Sequence, residues 1–221
     1  MTSNGTNNGY LVCVVDDDSD IRDGLKILLE SVGISSVCFS STREFLESPQ
    51  LGKANCLILD VRIPGLGGLD LQVELAKLGV RVPIIFITAH GDIPMSVRAM
   101  KAGAIEFLTK PFREQDILDA GRLALERDRL RRRQEEELHD LRARFEILSE
   151  REREVMKYVI AGLLNKQTAA RIGVSEVTVK VHRHNLMIKL GAKSLPDLVR
   201  IADLLDVHPE GGIASERMAT E

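Results

Sequence analysis

Acidic residues follow two apolar segments of this 221-residue chain. Asp16 and Asp17 come directly after the run Tyr10–Val15, and Asp60 ends the run Cys56–Asp60. If these runs are neighbouring parallel strands, the three carboxylates meet at the edge formed by the carboxyl ends of the strands. Ionised carboxylates repel one another, so such a cluster needs a cation. Because oxygen-only ligand sets suit hard ions, the pattern predicts a Mg²⁺ site.

A hydroxyl group and an ammonium group are also predicted to lie at the carboxyl ends of the strands. Thr88 follows the apolar segment PIIFI, and Lys110 lies just past AIEFL. With the carboxylates and Mg²⁺ they would form a phosphoryl-binding set, in which positioning and charge neutralisation do the chemistry. Taken singly, the acids within 16–20 could cap the first helix, and Lys110 could be an ordinary surface lysine. Five polar residues at the ends of four apolar strands favour the phosphoryl-binding interpretation.

The elements that would position these residues alternate along the first 120 residues. Short apolar runs rich in β-branched residues predict buried strands, and amphipathic segments between them predict helices. The predicted strands are Tyr10–Val15, Ser36–Phe39, Cys56–Asp60, Pro83–Thr88 and Ala104–Leu108. The predicted helices are Ile21–Val32, Thr42–Leu46, Leu69–Lys77, Ile93–Ala102 and Glu114–Leu125. This (βα)₅ pattern predicts an α/β fold with a parallel sheet covered on both faces.

Residues 123–145 are strongly charged, with seven basic and six acidic side chains and neither proline nor glycine. Oppositely charged residues four apart favour a helix. These pairs are Arg131–Glu135, Arg132–Glu136 and Arg133–Glu137. The segment therefore predicts a solvated connecting helix. A nucleic-acid role for the arginine run is less favoured, because three glutamates follow it at once.

The segment that follows the connecting helix has only helical patterns. Ser149 and Glu152 fit a capping box that opens a helix. The spacing of Ala169, Gly173 and Val179 suits a helix-turn-helix, with a small residue at the crossing, a turn, and an apolar residue that pins the second helix. Residues 163–193 hold six basic side chains against one acid, whereas residues 1–122 hold 12 basic and 16 acidic ones. Opposite charge in the two parts predicts two separate roles.

The second helix of this motif predicts a DNA-contacting face. Val181 lies on the outward side near Lys180 and His184, and an exposed valine there suits contact with a thymine methyl group in a major groove. The residues predicted to contact phosphates are Lys166, Thr178, Arg183 and Lys189. The alternative is a basic helix that is merely solvated.

Composition excludes several classes of protein. A net charge of −3 excludes a general polyanion binder, and no run approaches the ~18–20 apolar residues of a membrane span. The first ten residues lack the pattern of a secretion signal, so we expect a cytoplasmic protein without a membrane partner. Cys13, Cys38 and Cys56 form no CxxC pair and are expected to be buried, reduced thiols.

Four segments, VVDDD, LILDVRIPG, FITAHGD and FLTKPF, resemble as a set the receiver domain of two-component response regulators over residues 9–122. The resemblance implies a flavodoxin-like (βα)₅ fold of strand order 2-1-3-4-5. It implies that a sensor histidine kinase phosphorylates Asp60. It also implies that Asp17 and Asp60 bind Mg²⁺ with the main-chain carbonyl of Arg62, while Asp16 acts through water.

The same resemblance assigns the remaining residues of the predicted site. Thr88 and Lys110 would hold the phosphoryl oxygens, and Phe107 would occupy the position of an aromatic switch. The bond before Pro111 is usually cis in this family. On phosphorylation we expect a dimer through the face made by Ile93–Gly103, Ala104–Leu108 and the following helix.

The segment LSEREREVMKYVIAGLLNKQTAARIGVSEVTVKVHRHNLMIKLGAKSLPDLVRIA resembles the LuxR-type DNA-binding domain, an all-α four-helix fold. The whole chain therefore resembles a FixJ/NarL-type response regulator, and MSVRAMKAGAIEFLTKPF places it nearer the FixJ branch. This implies a regulator of transcription, an activator that recruits RNA polymerase to promoter DNA. The predicted division is a receiver over 9–122, a helical linker over 123–145, a DNA-binding domain over 146–207 and a flexible tail over 208–221.

Two other classes of function remain as alternatives. A phosphatase with an aspartyl-phosphate intermediate would carry an acid two residues after its nucleophile, but Arg62 stands there. An interaction module that no longer accepts phosphate is disfavoured by the intact set Asp17, Asp60, Thr88 and Lys110. We therefore expect a switch rather than an enzyme.

Overall fold

A computed structural model describes residues 9–210 of the chain. They form two compact units that divide after Arg132, within the helix Glu114–Glu146. The first unit contains every strand of the described residues, and the second is helical.

The first unit is built on a five-stranded parallel sheet of order β2-β1-β3-β4-β5, as predicted. Its strands are β1 Leu11–Val15, β2 Ser35–Phe39, β3 Cys56–Asp60, β4 Ile84–Thr88 and β5 Glu106–Thr109. Strands β3 and β4 are buried along their whole length, which explains their continuous runs of apolar residues. The ladder pairs Asp60 with Ile87, so the acid that ends β3 lies beside the end of β4.

Helices cover both faces of this sheet. They are α1 Ser19–Ser31, α2 Thr42–Leu46, α3 Gly68–Lys77, α4 Ile93–Lys101 and α5 Glu114–Glu146. Leu29 of α1 and Ile117 of α5 pack in the core on one face, and Phe45 of α2 and Leu75 of α3 pack in the core on the other. Burial of both faces fixes the strands, and with them the residues at their carboxyl ends.

The connecting helix differs from its predicted charge pattern. Arg133 does pair with Glu137, at 2.9 Å. Arg132, however, donates from Nε to Asp128 Oδ2 at 2.6 Å, so the expected pair with Glu136 was the wrong one. Asp128 is fully buried and also accepts from the Asn55 side-chain amide at 2.7 Å. The first turns of the predicted linker are therefore packed on the first unit rather than solvated.

Strand β5 begins two positions later than predicted, at Glu106. Ala104 and Ile105 are buried and apolar, but they precede the ladder between β4 and β5. The Lys110–Pro111 peptide bond is cis.

The second unit is a four-helix fold. Its helices are α6 Glu150–Ile160, α7 Asn165–Ile172, α8 Glu176–Leu190 and α9 Leu195–Leu204. The predicted capping box is present: Ser149 Oγ accepts from the backbone N–H of Glu152, whose carboxylate accepts from the backbone N–H of Ser149. Gly173 makes the turn between α7 and α8 in the left-handed conformation, at φ 71°. Ala169 and Val179 are buried on either side of this turn, as the spacing predicted.

The end of the described chain contacts α6. The backbone N–H of Glu210 donates to the carbonyl of Lys157 at 3.2 Å, and their side chains form an ion pair at 3.3 Å. The rest of the predicted tail, residues 211–221, lies outside the described residues. The three cysteines are free thiols. Across residues 9–210, every helix is too short or too polar to cross a bilayer.

Candidate functional site

Lys110 joins two carboxylates at the carboxyl ends of β1 and β3. Its ammonium donates to Asp16 Oδ2 at 2.6 Å and to Asp60 Oδ2 at 2.7 Å. Asp16 is fully buried and Asp60 is 6% exposed, whereas the side chain of Asp17 is exposed to solvent. The predicted convergence of these residues at one edge of the sheet is therefore present in the structure.

The second oxygen of each bridged carboxylate is held by the backbone. Asp16 Oδ1 accepts from the N–H of Asp18 at 2.9 Å, and Asp60 Oδ1 accepts from the N–H of Arg62 at 2.9 Å. Both contacts span two residues, so the loop after each strand fixes the carboxylate at the carboxyl end of that strand. The two acids are thus oriented before any ligand binds.

Burial and pairing act in opposite directions on the charged groups of this site. Burial raises the pKa of Asp16, and the hydrogen bond from Lys110 only partly offsets it. Burial alone would lower the pKa of Lys110, but its hydrogen bonds to Asp16 and Asp60 outweigh that effect and raise it. Lys110 is therefore an ammonium ion at neutral pH and compensates part of the negative charge.

The three acids also form an oxygen-ligand cluster. One carboxylate oxygen from each of Asp16, Asp17 and Asp60 lies within 4.8 Å of the others. A cluster of this size and donor type fits a hard divalent cation. Since Asp16 and Asp60 share Lys110, the exposed Asp17 is the acid that is accessible to an incoming ion.

Thr88 and Phe107 lie beside this site on the next two strands. Thr88 is 1% exposed, and its hydroxyl accepts from the N–H of His90 at 3.3 Å. Its carbonyl accepts from the N–H of Lys110 at 2.7 Å, which ties the end of β4 to the lysine. The half-buried ring of Phe107 packs near Phe86, with ring centroids 6.2 Å apart.

Gly68 is a positioning residue for the site that the sequence analysis did not identify. It begins α3 directly against β3, and a Cβ atom there would lie 2.2 Å from the backbone oxygen of Asp60. That atom cannot move without moving Asp60. The four residues GLGG after Asp60 are the only trace of this contact in the sequence, and they do not say which glycine makes it.

In the second unit, helix α8 separates a buried side from an exposed side. Val179, Leu186 and Leu190 are buried, whereas Val181 is 52% exposed. His184 is exposed, and Lys180 forms a solvent-exposed ion pair with Glu176, at 3.4 Å. The predicted base-contacting residues therefore share the accessible side of the helix.

The residues predicted to contact phosphates differ in exposure and in whether their side chains are already hydrogen-bonded. Lys166 is exposed on α7, and Arg183 donates to Asn165 Oδ1 at 3.2 Å. The hydroxyl of Thr178 lies 2.8 Å from that of Ser175. Arg183 also lines an open groove of about 630 Å³, whose other residues include Asn165, Lys180, His184, Ile188 and Lys193. Lys193 is a basic residue of this groove that the sequence analysis did not propose.

Lys189 stands apart from the other predicted contacts. Its ammonium donates to Glu152 Oε2 at 2.7 Å and to the carbonyl of Ile147 at 3.4 Å. Burial alone would raise the pKa of Glu152, but the hydrogen bonds from Lys189 and the backbone N–H of Ser149 outweigh it and lower the pKa. Lys189 is therefore already paired with a buried carboxylate of its own unit, and a DNA phosphate would compete with that pair.

Comparison with known proteins gives matches to both units. The response regulator receiver domain matches residues 12–122, and the luxR family of bacterial regulatory proteins matches residues 146–202. Nodulation protein W of Bradyrhizobium diazoefficiens is 53% identical over 197 residues, which are 89% of this chain and 87% of that protein.

Two further matches also span both units. Transcriptional regulatory protein FixJ of Azorhizobium caulinodans is 42% identical over 90% of this chain and 94% of its own. The solved structure of response regulator StyR is 49% identical, with a TM-score of 0.79, and covers 88% of this chain and 98% of that one.

Proposed function

Since this chain belongs to the response regulators that join a receiver domain to a LuxR-type DNA-binding domain, and so regulates transcription in a two-component system, we propose a specific mechanism for it. Asp60 accepts a phosphoryl group from a sensor histidine kinase, and the phosphorylated protein binds promoter DNA as a dimer. The family consists of transcription regulators rather than enzymes. Hydrolysis of the acyl phosphate on Asp60 would return the protein to its unphosphorylated state and is not an enzymatic activity toward a separate substrate.

The observation that carries this proposal is the bridge from Lys110 to Asp16 and Asp60 at 2.6 and 2.7 Å. An oxygen of Asp60 attacks the phosphorus of a phosphohistidine, the P–N bond breaks, and an acyl phosphate forms on Asp60. Because Lys110 already lies at this carboxylate, its ammonium neutralises charge on the incoming phosphoryl oxygens. Thr88, at the end of the adjacent strand, supplies a hydroxyl donor.

The acidic cluster supports a Mg²⁺ ion as the cofactor of this transfer. Asp17, Asp60 and the main-chain carbonyl of Arg62 would bind the ion, and Asp16 would act through water. Bound there, Mg²⁺ neutralises negative charge on the phosphoryl group. The donor set consists only of oxygen atoms, as this ion prefers.

New contacts to the phosphoryl group can supply enough energy to move a switch. Shifting an equilibrium from 1:99 to 99:1 needs about 5.5 kcal/mol of differential stabilisation. Charge-assisted hydrogen bonds are worth roughly 1.5–3 kcal/mol each, so two or three from Thr88, Lys110 and backbone N–H groups suffice. Movement of Thr88 would make room for Phe107 and change the face formed by α4, β5 and α5, through which we propose that the dimer forms.

The exposed side of α8 supports major-groove recognition. Lys180, Val181 and His184 would contact bases, and a dimer would bind half-sites about one helical turn, ~34 Å, apart. The phosphate contacts that we propose are Lys166, Thr178, Arg183 and Lys189, of which Lys189 must exchange its pair with Glu152. Activation would proceed by recruitment of RNA polymerase.

The domain limits that we propose are 9–122 for the receiver and 146–207 for the DNA-binding domain, with the helical segment 123–145 between them. Since the first compact unit ends at Arg132, the first turns of this segment stay with the receiver.

Mass spectrometry after incubation with Mg²⁺ and acetyl phosphate tests the central step. We expect one added phosphoryl group on Asp60 and none on the Asp60→Asn variant. Size-exclusion chromatography with light scattering on the same samples should show a dimer only for the phosphorylated wild type. Absence of the modification, or an equal yield on Asp60→Asn, would contradict the proposal.

A further inference from the structure

Gly91 faces the two side chains that the proposed switch moves. It lies in the loop between β4 and α4, and a Cβ atom there would be 2.8 Å from Phe107 Cε1 and 3.4 Å from Phe107 Cζ. The same Cβ would lie 3.2 Å from the methyl carbon of Thr88. The ring of Phe107 therefore occupies its observed place only because residue 91 has no side chain.

A side chain at position 91 would displace the ring more readily than the backbone. Thr88 is 1% exposed, and its carbonyl is bound to the N–H of Lys110, so its backbone is held in place, although the proposed switch moves its side chain. The atoms of Phe107 that would clash are at the far end of a half-buried side chain, which can swing by rotation about χ1. The response to crowding at Gly91 is thus a new placement of the Phe107 ring.

We propose that Gly91 is a positioning residue of the switch: by leaving space for the Phe107 ring beside Thr88, it sets the balance between the ring placement seen here and the displaced one. This inference rests on the proposed function, because it takes the observed arrangement, with Thr88 bonded to His90, as the unphosphorylated one. Adding a methyl group at position 91 disfavours that arrangement, because the atoms nearest to it belong to the Phe107 ring and the Thr88 methyl group.

The expected size of the effect follows from the cost of overpacking. Forcing an extra carbon into an occupied space biases an equilibrium by roughly 5- to 150-fold. Gly91→Ala should therefore raise the population of the displaced ring in the unphosphorylated protein by at least about fivefold. The unphosphorylated variant should also dimerise more readily than the wild type by a similar factor.

Fluorine NMR of the full chain labelled with 4-fluorophenylalanine follows the ring directly. The chain has six phenylalanines, and the Phe107→Leu variant identifies the resonance of residue 107. In Gly91→Ala without phosphate, this resonance should move toward the position it takes in the wild type after treatment with Mg²⁺ and acetyl phosphate. The control is Gly24→Ala, because a Cβ at that exposed helical glycine meets nothing within 4 Å.

A double-mutant comparison separates this effect from a general disturbance of the loop. Leucine lacks the Cε and Cζ atoms that would clash, so Gly91→Ala should change the monomer–dimer equilibrium of Phe107→Leu by less than twofold. An equal effect in both backgrounds, or an unmoved Phe107 resonance in Gly91→Ala, would overturn the proposal. If instead phosphorylation leaves the wild-type resonance and mass unchanged, the proposed switch itself has failed.

Discussion

Lys189 and Glu152 form an ion pair at 2.7 Å that ties the end of α8 to the first turn of α6. The Glu152 side chain is 4% exposed and that of Lys189 is 35% exposed. The same carboxylate completes the capping box with Ser149, so one acidic group both caps α6 and holds the predicted DNA-contacting helix. The pair gives Lys189 a structural role besides any contact with DNA.

Replacement of Lys189 by methionine should destabilise the second unit. The Glu152 carboxylate would stay buried without its cation, at a cost of about 2–3 kcal/mol, less than for a fully buried pair because Lys189 is partly exposed. Lys180→Met is the matched control, since its ion pair with Glu176 is exposed and worth at most about 0.5 kcal/mol. Urea-dependent hydrogen exchange, followed by mass spectrometry on α6 and α8 peptides, measures the loss in free energy of unfolding for each variant. Equal losses in the two variants would refute the structural role.

The same pair makes the stability of the second unit depend on pH. The folded-state pKa of Glu152 is lowered below its usual 4.5, so the pair stabilises the fold fully above that pH and loses its contribution as pH falls through the folded value. The free energy of unfolding of wild type should therefore exceed that of Glu152→Gln most at pH 7, and the difference should shrink below pH 4.5. A difference that is constant from pH 7 to about pH 3 would contradict this assignment.

Lys110 should stabilise the acidic edge of the receiver when no metal is present. Lys110→Met removes the cation that lies between Asp16 and Asp60, and we expect the first unit to lose about 2–4 kcal/mol. Millimolar Mg²⁺ should restore more stability in this variant than in the wild type, because it supplies the missing positive charge. Hydrogen exchange of β1 and β3 peptides measures the effect, with the exposed Lys26→Met as control. If Lys110→Met had the same hydrogen-exchange protection as the wild type, with and without Mg²⁺, the stabilising role of Lys110 at these carboxylates would be contradicted.

Lys180 and Lys166 should affect DNA binding in different ways. Lys180→Ala removes a proposed base contact, so preference at one position of the site should relax, with a loss of roughly 1–3 kcal/mol on the best sequence. Lys166→Ala removes a proposed phosphate contact, so it should weaken specific and random DNA alike and reduce the salt dependence. Binding to a selected DNA library at two salt concentrations distinguishes them. If both variants showed the same sequence preference and the same salt dependence, the assignment of Lys180 to bases and Lys166 to phosphates would be wrong.

Much of the first unit was predictable because buried parallel strands leave continuous apolar runs. The ends of β1, β3 and β4 followed from those runs, and with them the convergence of Asp16, Asp60 and Thr88. The different positions of Asp16 and Asp17 did not follow from residue type, because the two acids are adjacent and identical. In the structure Lys110, which directly follows β5, bonds to the buried Asp16, while Asp17 is exposed.

The errors arose where distant residues decide a contact. Arg132 and Glu136 have ideal helical spacing, but Asp128 is fixed by Asn55, which lies 73 residues away, and so becomes the partner of Arg132. The role of Gly68 was missed for the same reason. The GLGG segment does not show which of its glycines lies against β3, nor that a backbone oxygen occupies the space that a side chain at residue 68 would need.

The most direct test of the account is the DNA affinity of the full chain before and after phosphorylation. A binding site is first selected from random DNA with wild type treated with Mg²⁺ and acetyl phosphate, and affinity is then measured at one fixed salt concentration. We predict that treatment tightens wild-type binding at least about tenfold, a shift of ~1.4 kcal/mol, and leaves Asp60→Asn at the untreated value. Equal tightening of Asp60→Asn, or no change in phosphorylated wild type, would contradict the claim that Asp60 controls DNA binding.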